Sequence, residues 1–339
     1  MRKYLLIEKK ENISSFLLKN SLYFVSNKKI YSNVNNNFVN INSNNIYSVE
    51  NLILSDTEKV YDFNLENYQI FINDDFQYRR RYYKNIVTFN NETNIFFYDI
   101  AKNQLVRKMN LNSFTIYGTI YCFINEYAII LGKDTTISAF DYIQEKILWQ
   151  YDLETYFHQP AQIMEGRVLV SNNKIIFFAH TEDWSNYATF VLDAQTGEVL
   201  FTTQEMGMKL ITYNDFVYQI QRKAIKILDP KNLKIETIDV STYCDEQSIF
   251  LDDHTVFFYK DKLYTLAREQ GSDVYNIWVI FNLKNQLFEH REDMFINPKK
   301  KKDEKNKMFI NDIQANDNLV AIRCSDNLYV FEKQDIESK

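Results

Sequence analysis

Six times along this chain a run of β-forming residues reaches an Asp or Asn, passes through a short polar turn and returns as a second apolar run. The most regular copy is residues 188–201, ATFVLDAQTGEVLF, with its corner at Asp193 and a glycine at Gly197. The others are KVYDFNLENYQIFI with its corner at Asn64, NIFFYDIAKNQLVRKM at Asp99, TISAFDYIQEKILWQY at Asp141, AIKILDPKNLKIETI at Asp229 and IWVIFNLKNQLFEH at Asn282. An Asp or Asn side chain can accept a hydrogen bond from the backbone two residues on, and Gly supplies the positive φ that closes such a turn. In most copies a Gly or Asn stands three or four residues past the corner, at Asn67, Asn103, Gly197, Asn232 and Asn285; the Asp141 copy has Glu145 and Lys146 there instead.

A further strand pair precedes the corners, as in YCFINEYAIIL before Asp141, RVLVSNNKIIFFAH before Asp193 and KLITYNDFVYQI before Asp229. Each unit therefore holds four short antiparallel strands. Units recurring at intervals of about 35 to 53 residues, without long helical periodicity, specify an all-β fold of the β-propeller kind, where each sheet buries its faces against its neighbours. With only 6 Gly and 3 Pro in the chain, Asn takes over much of the turn chemistry, as at Asn172-Asn173 and Asn214-Asp215. Residues 12–42 offer another unit with a weak corner near Asn33, which sets the expected number of blades at seven or eight. We expect one domain over residues 1–339: a closing strand at 1–10, successive blades over 11–297, a Lys-rich loop at 298–307 and the last blade at 308–333. The N-terminal strand KYLLIE then completes the last sheet and closes the ring.

The copies resemble the pyrroloquinoline-quinone-like propeller repeat, in which a strand ends in Leu-Asp, a Thr-Gly turn follows and the next strand ends in an aromatic. Residues 188–201 match this pattern, and AFDYIQEKILW at 139–149 matches with Trp149 as the terminal aromatic; the remaining copies are degenerate. Quinone enzymes of that superfamily typically carry an adjacent cysteine pair, a calcium-binding set of carboxylates and amides, and a catalytic aspartate. Here Cys122, Cys244 and Cys324 are far apart, and every Asp that can be placed reliably is a corner residue. The expectation is no cofactor, no metal and no catalytic residue.

With 339 residues, 45% of them hydrophobic, the chain has ample material for a core. A net charge of −6 gives no general attraction to phosphate backbones or anionic lipid, so neither nucleic acid nor membrane is expected as a partner. No stretch approaches the roughly 18 apolar residues of a membrane helix, and the odd, scattered cysteines fit a reducing, cytoplasmic setting. Arg79-Arg80-Arg81-Tyr82-Tyr83 has a composition that can bind single-stranded nucleic acid, but reads better as an alternating strand. Asp252-Asp253-His254 has metal-ligand or acid–base chemistry, yet it stands where a turn is needed between SIFL and TVFFY. The four histidines, His158, His180, His254 and His290, show no local metal-ligand spacing.

Two polar loops with aromatics remain. AHTEDWSNYA, residues 179–188, carries Glu182, Asp183, Trp184 and Tyr187; AREQGSDVYNIW, residues 267–278, carries Asp273 and Tyr275 in the equivalent place two units later. By strand parity both loops leave one face. Exposed Trp or Tyr beside acids makes an interface anchor, because such side chains give large contact area at small entropy cost. The alternative is that the rings pack back onto the sheet. The resulting reading is a monomeric, non-catalytic platform for another protein, of the kind that serves as a bacterial immunity, assembly or regulatory factor. The competing reading is an enzyme or a small-molecule or carbohydrate binder that uses the central funnel.

Overall fold

The computed structural model describes residues 3–32, 38–40, 46–49, 52–55, 59–62, 68–70, 81–84, 86–90, 94–99, 102, 104–110, 119–133, 135–164, 168–296 and 306–334. Within these, the strands form eight antiparallel sheets, seven of four strands and one of five. In chain order they occupy residues 13–40, 46–70, 81–110, 119–152, 161–203, 211–239, 249–293 and 310–334. Inside each sheet the strands follow one another in sequence order; in the five-stranded fifth sheet Ala161–Ile163 and Leu169–Ser171 both pair with Lys174–Thr181. The exception is the eighth sheet, whose outermost strand is Lys3–Lys10, paired antiparallel with Asn327–Gln334 from Lys3↔Gln334 to Lys10↔Leu328. The N- and C-terminal strands thus close the fold within one sheet. Residues 12–42, the segment with the weak expected corner, supply the first sheet, with strands Ile13–Leu18, Leu22–Ser26, Lys29–Ser32 and Phe38–Asn40.

The chain divides into two compact units, one of Met1–Ile70, Ile220–Ile225 and Thr237–Lys339, the other of Phe71–Gln219 and Lys226–Glu236. In the second unit, successive sheets share cores. Ile95 and Phe97 of the third sheet pack with Phe123, Ile129 and Tyr142 beside and within the fourth. Trp149 of the fourth packs with Phe177, Phe190 and Leu192 of the fifth. In the first unit, Tyr264, Trp278 and Ile280 of the seventh sheet pack with Ile313, Ile322 and Phe331 of the eighth. The eighth packs in turn on the first through Ala321 and Val330 against Ile13, Phe16 and Leu22. Sheets covered on both faces explain why the middle strands bury almost every residue, as in Lys174–Thr181, whereas outer strands such as Gln104–Asn110 bury few.

The corners show what the repeated Asp and Asn do. Asp193 Oδ1 accepts from the backbone N–H groups of Gln195 (2.8 Å) and Thr196 (2.9 Å). Asp141 Oδ1 does the same for Ile143 (2.9 Å) and Gln144 (2.8 Å), and Asn282 Oδ1 for Lys284 (2.9 Å) and Asn285 (3.2 Å). Asp99 accepts from Lys102 N (3.0 Å) and Asp229 from Lys231 N (2.8 Å). Asn64, with Asn67, Asn103 and the Asn33 corner, lies outside the described residues. The left-handed residue falls four places past the corner: Glu145 (φ 55°), Gly197 (φ 74°), Leu233 (φ 60°) and Gln286 (φ 57°). Asn232 and Asn285, one place earlier, are instead turn acceptors, receiving the N–H groups of Lys234 (3.0 Å) and Leu287 (3.2 Å).

Gly197 carries two constraints at once. Its N–H donates to Asp193 O (2.9 Å), which places it in the left-handed region, and a Cβ there would sit 2.5 Å from the ring of Trp149. Trp149 is held over this turn by its own Nε1–H, which donates to Ala194 O at 3.0 Å. The terminal aromatic of one copy thus docks on the glycine turn of the next. Gly197→Val should destabilise the protein by about 2 kcal/mol or more, since it forces a β-branched residue to positive φ and displaces the indole. Gln195→Ser, exposed in the same turn, should shift the denaturant midpoint little. Equal midpoints for the two variants would contradict this account.

The Asp252-Asp253-His254 segment departs from expectation. It is not a turn: Ile249–Tyr259 is one continuous strand, and the register jumps from Leu251↔Ala267 to Val256↔Thr265. Residues 252–255 therefore bulge out opposite Leu266 while both strands run on. Thr265 Oγ1 donates to Asp252 O (2.7 Å) and holds the bulge to the sheet. Of the Arg/Tyr segment, Arg81–Tyr83 is the first strand of the third sheet; Arg79 and Arg80 lie outside the described residues, as does most of the Lys-rich loop. Among the described residues no helix is long and apolar enough to cross a membrane.

Candidate functional site

The fifth sheet's central strands, Lys174–Thr181 and Tyr187–Asp193, are joined by a turn that is held almost entirely by its own side chains. Asp183 Oδ1 accepts from Thr181 Oγ1 (2.7 Å), Ser185 N (3.0 Å) and Ser185 Oγ (2.8 Å). Thr181 N donates to Asn186 O (2.9 Å), and Asn186 N donates back to Thr181 Oγ1 (3.1 Å). The hydrogen bonds from Ser185 and Thr181 hold the Asp183 carboxyl down at about 2, so it is charged at any ordinary pH.

This turn places Trp184 at φ 60°, an unusual conformation for a bulky side chain. The indole folds back over the buried His180 with ring centroids 3.5 Å apart and planes 16° from parallel. His180 is fixed beneath it, its Nδ1–H donating to Thr181 O at 2.8 Å. The other face of Trp184 is open, and the residue is 48% exposed. Tyr187, which opens the returning strand, is 41% exposed, with its ring 5.8 Å from Phe178. Glu182, Asp183, Trp184 and Tyr187 therefore lie in one ordered loop. His180 and Phe178 are the supports the sequence reading passed over. Their spacing of two residues puts both on one face of the strand beneath the loop.

The loop after Lys262–Glu269 in the seventh sheet is the topological equivalent, and it is differently made. Asp273 is fully exposed, but Tyr275 is half-buried with Arg268 5.7 Å from its ring centroid. Arg268 Nη1 lies 3.4 Å from Asp273 Oδ1 and donates to Ser272 O. Lys307 adds hydrogen bonds to Ser272 Oγ (3.1 Å) and Glu269 (2.9 Å). Beside this loop, Asp252, Asp253 and His254 bring their ligand atoms within 4.8 Å of one another, with the His254 ring 5.6 Å from that of Tyr275. His254 Nδ1 is 2.7 Å from the buried Asp252 carboxylate, so the histidine already serves that carboxylate.

No protein-family model matches the chain, and no curated protein matches it in sequence. Solved structures do match in shape. The β-propeller domain of Cps50 (Swd1) from Myceliophteria thermophila aligns with a TM-score of 0.52 at 8% identity, covering 97% of this chain and 99% of that one. The chain has the β-propeller fold. KlHsv2 with loop 6CD replaced by a Gly-Ser linker aligns over 97% of this propeller and 98% of that chain, with a TM-score of 0.50 and 11% identity. BamB from Moraxella catarrhalis aligns over 97% of this chain and 100% of that one at 8% identity, with a TM-score of 0.42, too low to weigh in the argument. At these identities the likeness extends to the fold alone, and the pyrroloquinoline-quinone-like resemblance rests on residues 188–201 and 139–149.

Proposed function

We propose that this propeller is a non-catalytic binding platform for another protein, with the Thr181–Tyr187 loop as its principal contact. The observation that carries the reading is the preordered Trp184: its inner face is spent on His180, its outer face is open, and four side-chain hydrogen bonds to Asp183 and Thr181 fix the backbone beneath it. An aromatic held rigid before binding loses little entropy when a partner covers it, which is how a few Trp and Tyr side chains come to dominate interface energies. Asp273 and Tyr275 form a secondary candidate contact, weaker because Arg268 already engages both. A role as an immunity, assembly or regulatory factor is then decided by the partner.

Replacing Trp184 and Tyr187 together with Ala should change the stability of the fold by less than about 1 kcal/mol, since both rings are substantially exposed. Affinity for the partner should fall by about 2 kcal/mol or more. The test is capture from the native lysate by wild type and double variant in parallel, with thermal denaturation of the same preparations. A variant that melts normally and still captures the wild-type set of proteins would remove this loop from the function. Loss of several kcal/mol of stability would make the rings part of the core instead.

A further inference from the structure

We infer that the Glu182–Trp184 turn receives a guanidinium group, an arginine side chain of a basic segment in the partner. The proposal rests on the partner-binding reading above and specifies its chemistry. Its first ground is charge. Glu182 and Asp183 are both exposed, and among the described residues neither has an ion-pair partner. The three side-chain and backbone donors that hold Asp183 all use Oδ1, and none of them engages Oδ2. Two exposed carboxylates thus directly precede, in the same turn, an indole whose outer face is open and electron-rich.

The second ground is supplied by the chain itself. In the topologically equivalent loop of the seventh sheet, an aromatic and a carboxylate occur with a cation between them: Arg268 lies over the Tyr275 ring and against Asp273. The fifth sheet has the aromatic and the carboxylates, and the position corresponding to Arg268 is His180, which is buried under the indole and occupied with Thr181 O. His180 already covers the inner face of the indole, so a cation for the outer face has to come from outside this loop. Arginine fits better than lysine because its planar guanidinium can stack on the indole while its edge reaches a carboxylate.

The test is calorimetric titration of the intact protein with acetylated, amidated tetra-arginine, its citrulline counterpart of equal shape and no charge, and tetra-lysine. Tetra-arginine should bind saturably, about tenfold more weakly to Trp184→Ala and to Glu182→Gln/Asp183→Asn, and more weakly as salt rises. Asn at 183 keeps the Oδ1 acceptor, so the turn stays in place while the charge goes. Citrulline peptide should not saturate, and tetra-lysine should bind less tightly than tetra-arginine. Equal binding of the arginine and citrulline peptides, equal binding by wild type and Trp184→Ala, or no saturable binding would each overturn the proposal. If partner capture requires Trp184 and Tyr187 while the peptides show no such dependence, the platform reading stands and the guanidinium proposal falls. If tetra-arginine binds through Trp184 but capture is unchanged in the double variant, the turn binds guanidinium without serving the captured partner, and the loop's place in the platform reading falls together with the partner arginine.

Discussion

A protein lacking residues 1–10 should fail to reach a soluble, cooperatively melting state, whereas one lacking residues 336–339 should melt as the whole chain does. The strand Lys3–Lys10 is the outermost member of the eighth sheet, and its removal strips the edge of Asn327–Gln334 of its hydrogen-bonding partner. It also removes Tyr4, whose ring meets Trp278 edge-on at 5.4 Å and His290 at 4.5 Å and so covers the seam between the seventh and eighth sheets. Exposing a bare strand edge beside a fully buried indole creates both an aggregation template and an apolar wound. Solubility and thermal melting of the two truncations decide the matter. An N-terminal deletion that melts cooperatively near the wild-type temperature would show that the sheet does not need its closing strand.

Acidification from about pH 6.5 to 4 should act on this protein through two partly buried groups of opposite sign. His290 sits between Tyr4 and Trp278, and burial pushes its pKa down to about 4. The unfolded chain takes up that proton near pH 6.5 and the folded one does not, so stability falls through this window as pH falls. Asp312 is driven the other way, up to about 6 by burial, against a hydrogen bond from Gln314 and the nearby Arg323. The folded chain then takes up a proton well before the unfolded one, and stability rises as pH falls from about 6 to about 4. The two contributions, about 3 kcal/mol for His290 and about 2 for the partly accessible Asp312, largely cancel in the wild type.

Single substitutions should uncover them. Asp312→Asn should lose stability on acidification across this range, and His290→Phe, which keeps an aromatic ring in the seam, should gain it. Denaturant unfolding at pH 4.5 and 6.5 gives both slopes, each taken relative to wild type so that other titrating groups drop out. Slopes of the same sign for the two variants, or no change from wild type in either, would contradict the assignment.

Much of the architecture was legible because each repeat announces itself chemically. The Asp193–Gly197 turn is readable from Asp, Thr and Gly alone; the same grammar with Asn in place of Gly locates the corners at Asp99, Asp229 and Asn282, and the corner at Asp141 is located by its Asp without either. The finer geometry was less so. Asn232 and Asn285 look like the left-handed residues, since Asn is the common substitute for Gly; yet that conformation falls on Leu233 and Gln286, whose composition gives no hint of it. A bulge and a turn draw on the same polar residues, so 252–255 could be told apart from a turn only by seeing Lys262–Glu269 continue alongside. Whether Trp184 faced solvent or sheet was undecidable for a similar reason. Its orientation depends on one backbone angle and on His180, a neighbour that sequence makes a generic buried histidine.

The pairing of Lys3 with Gln334 also sets an order in time. On the ribosome the first of these strands emerges long before the second, and intervening sheets can form from neighbours already made, but the eighth cannot. Until Asn327–Gln334 has been made, the segment Tyr4-Leu5-Leu6-Ile7 lacks its partner strand, and contacts across so much of the chain are the slowest kind to form. The eighth sheet is therefore the last of the described sheets that can be completed. Anything that stalls translation before residue 327 leaves Lys3–Lys10 without its partner strand.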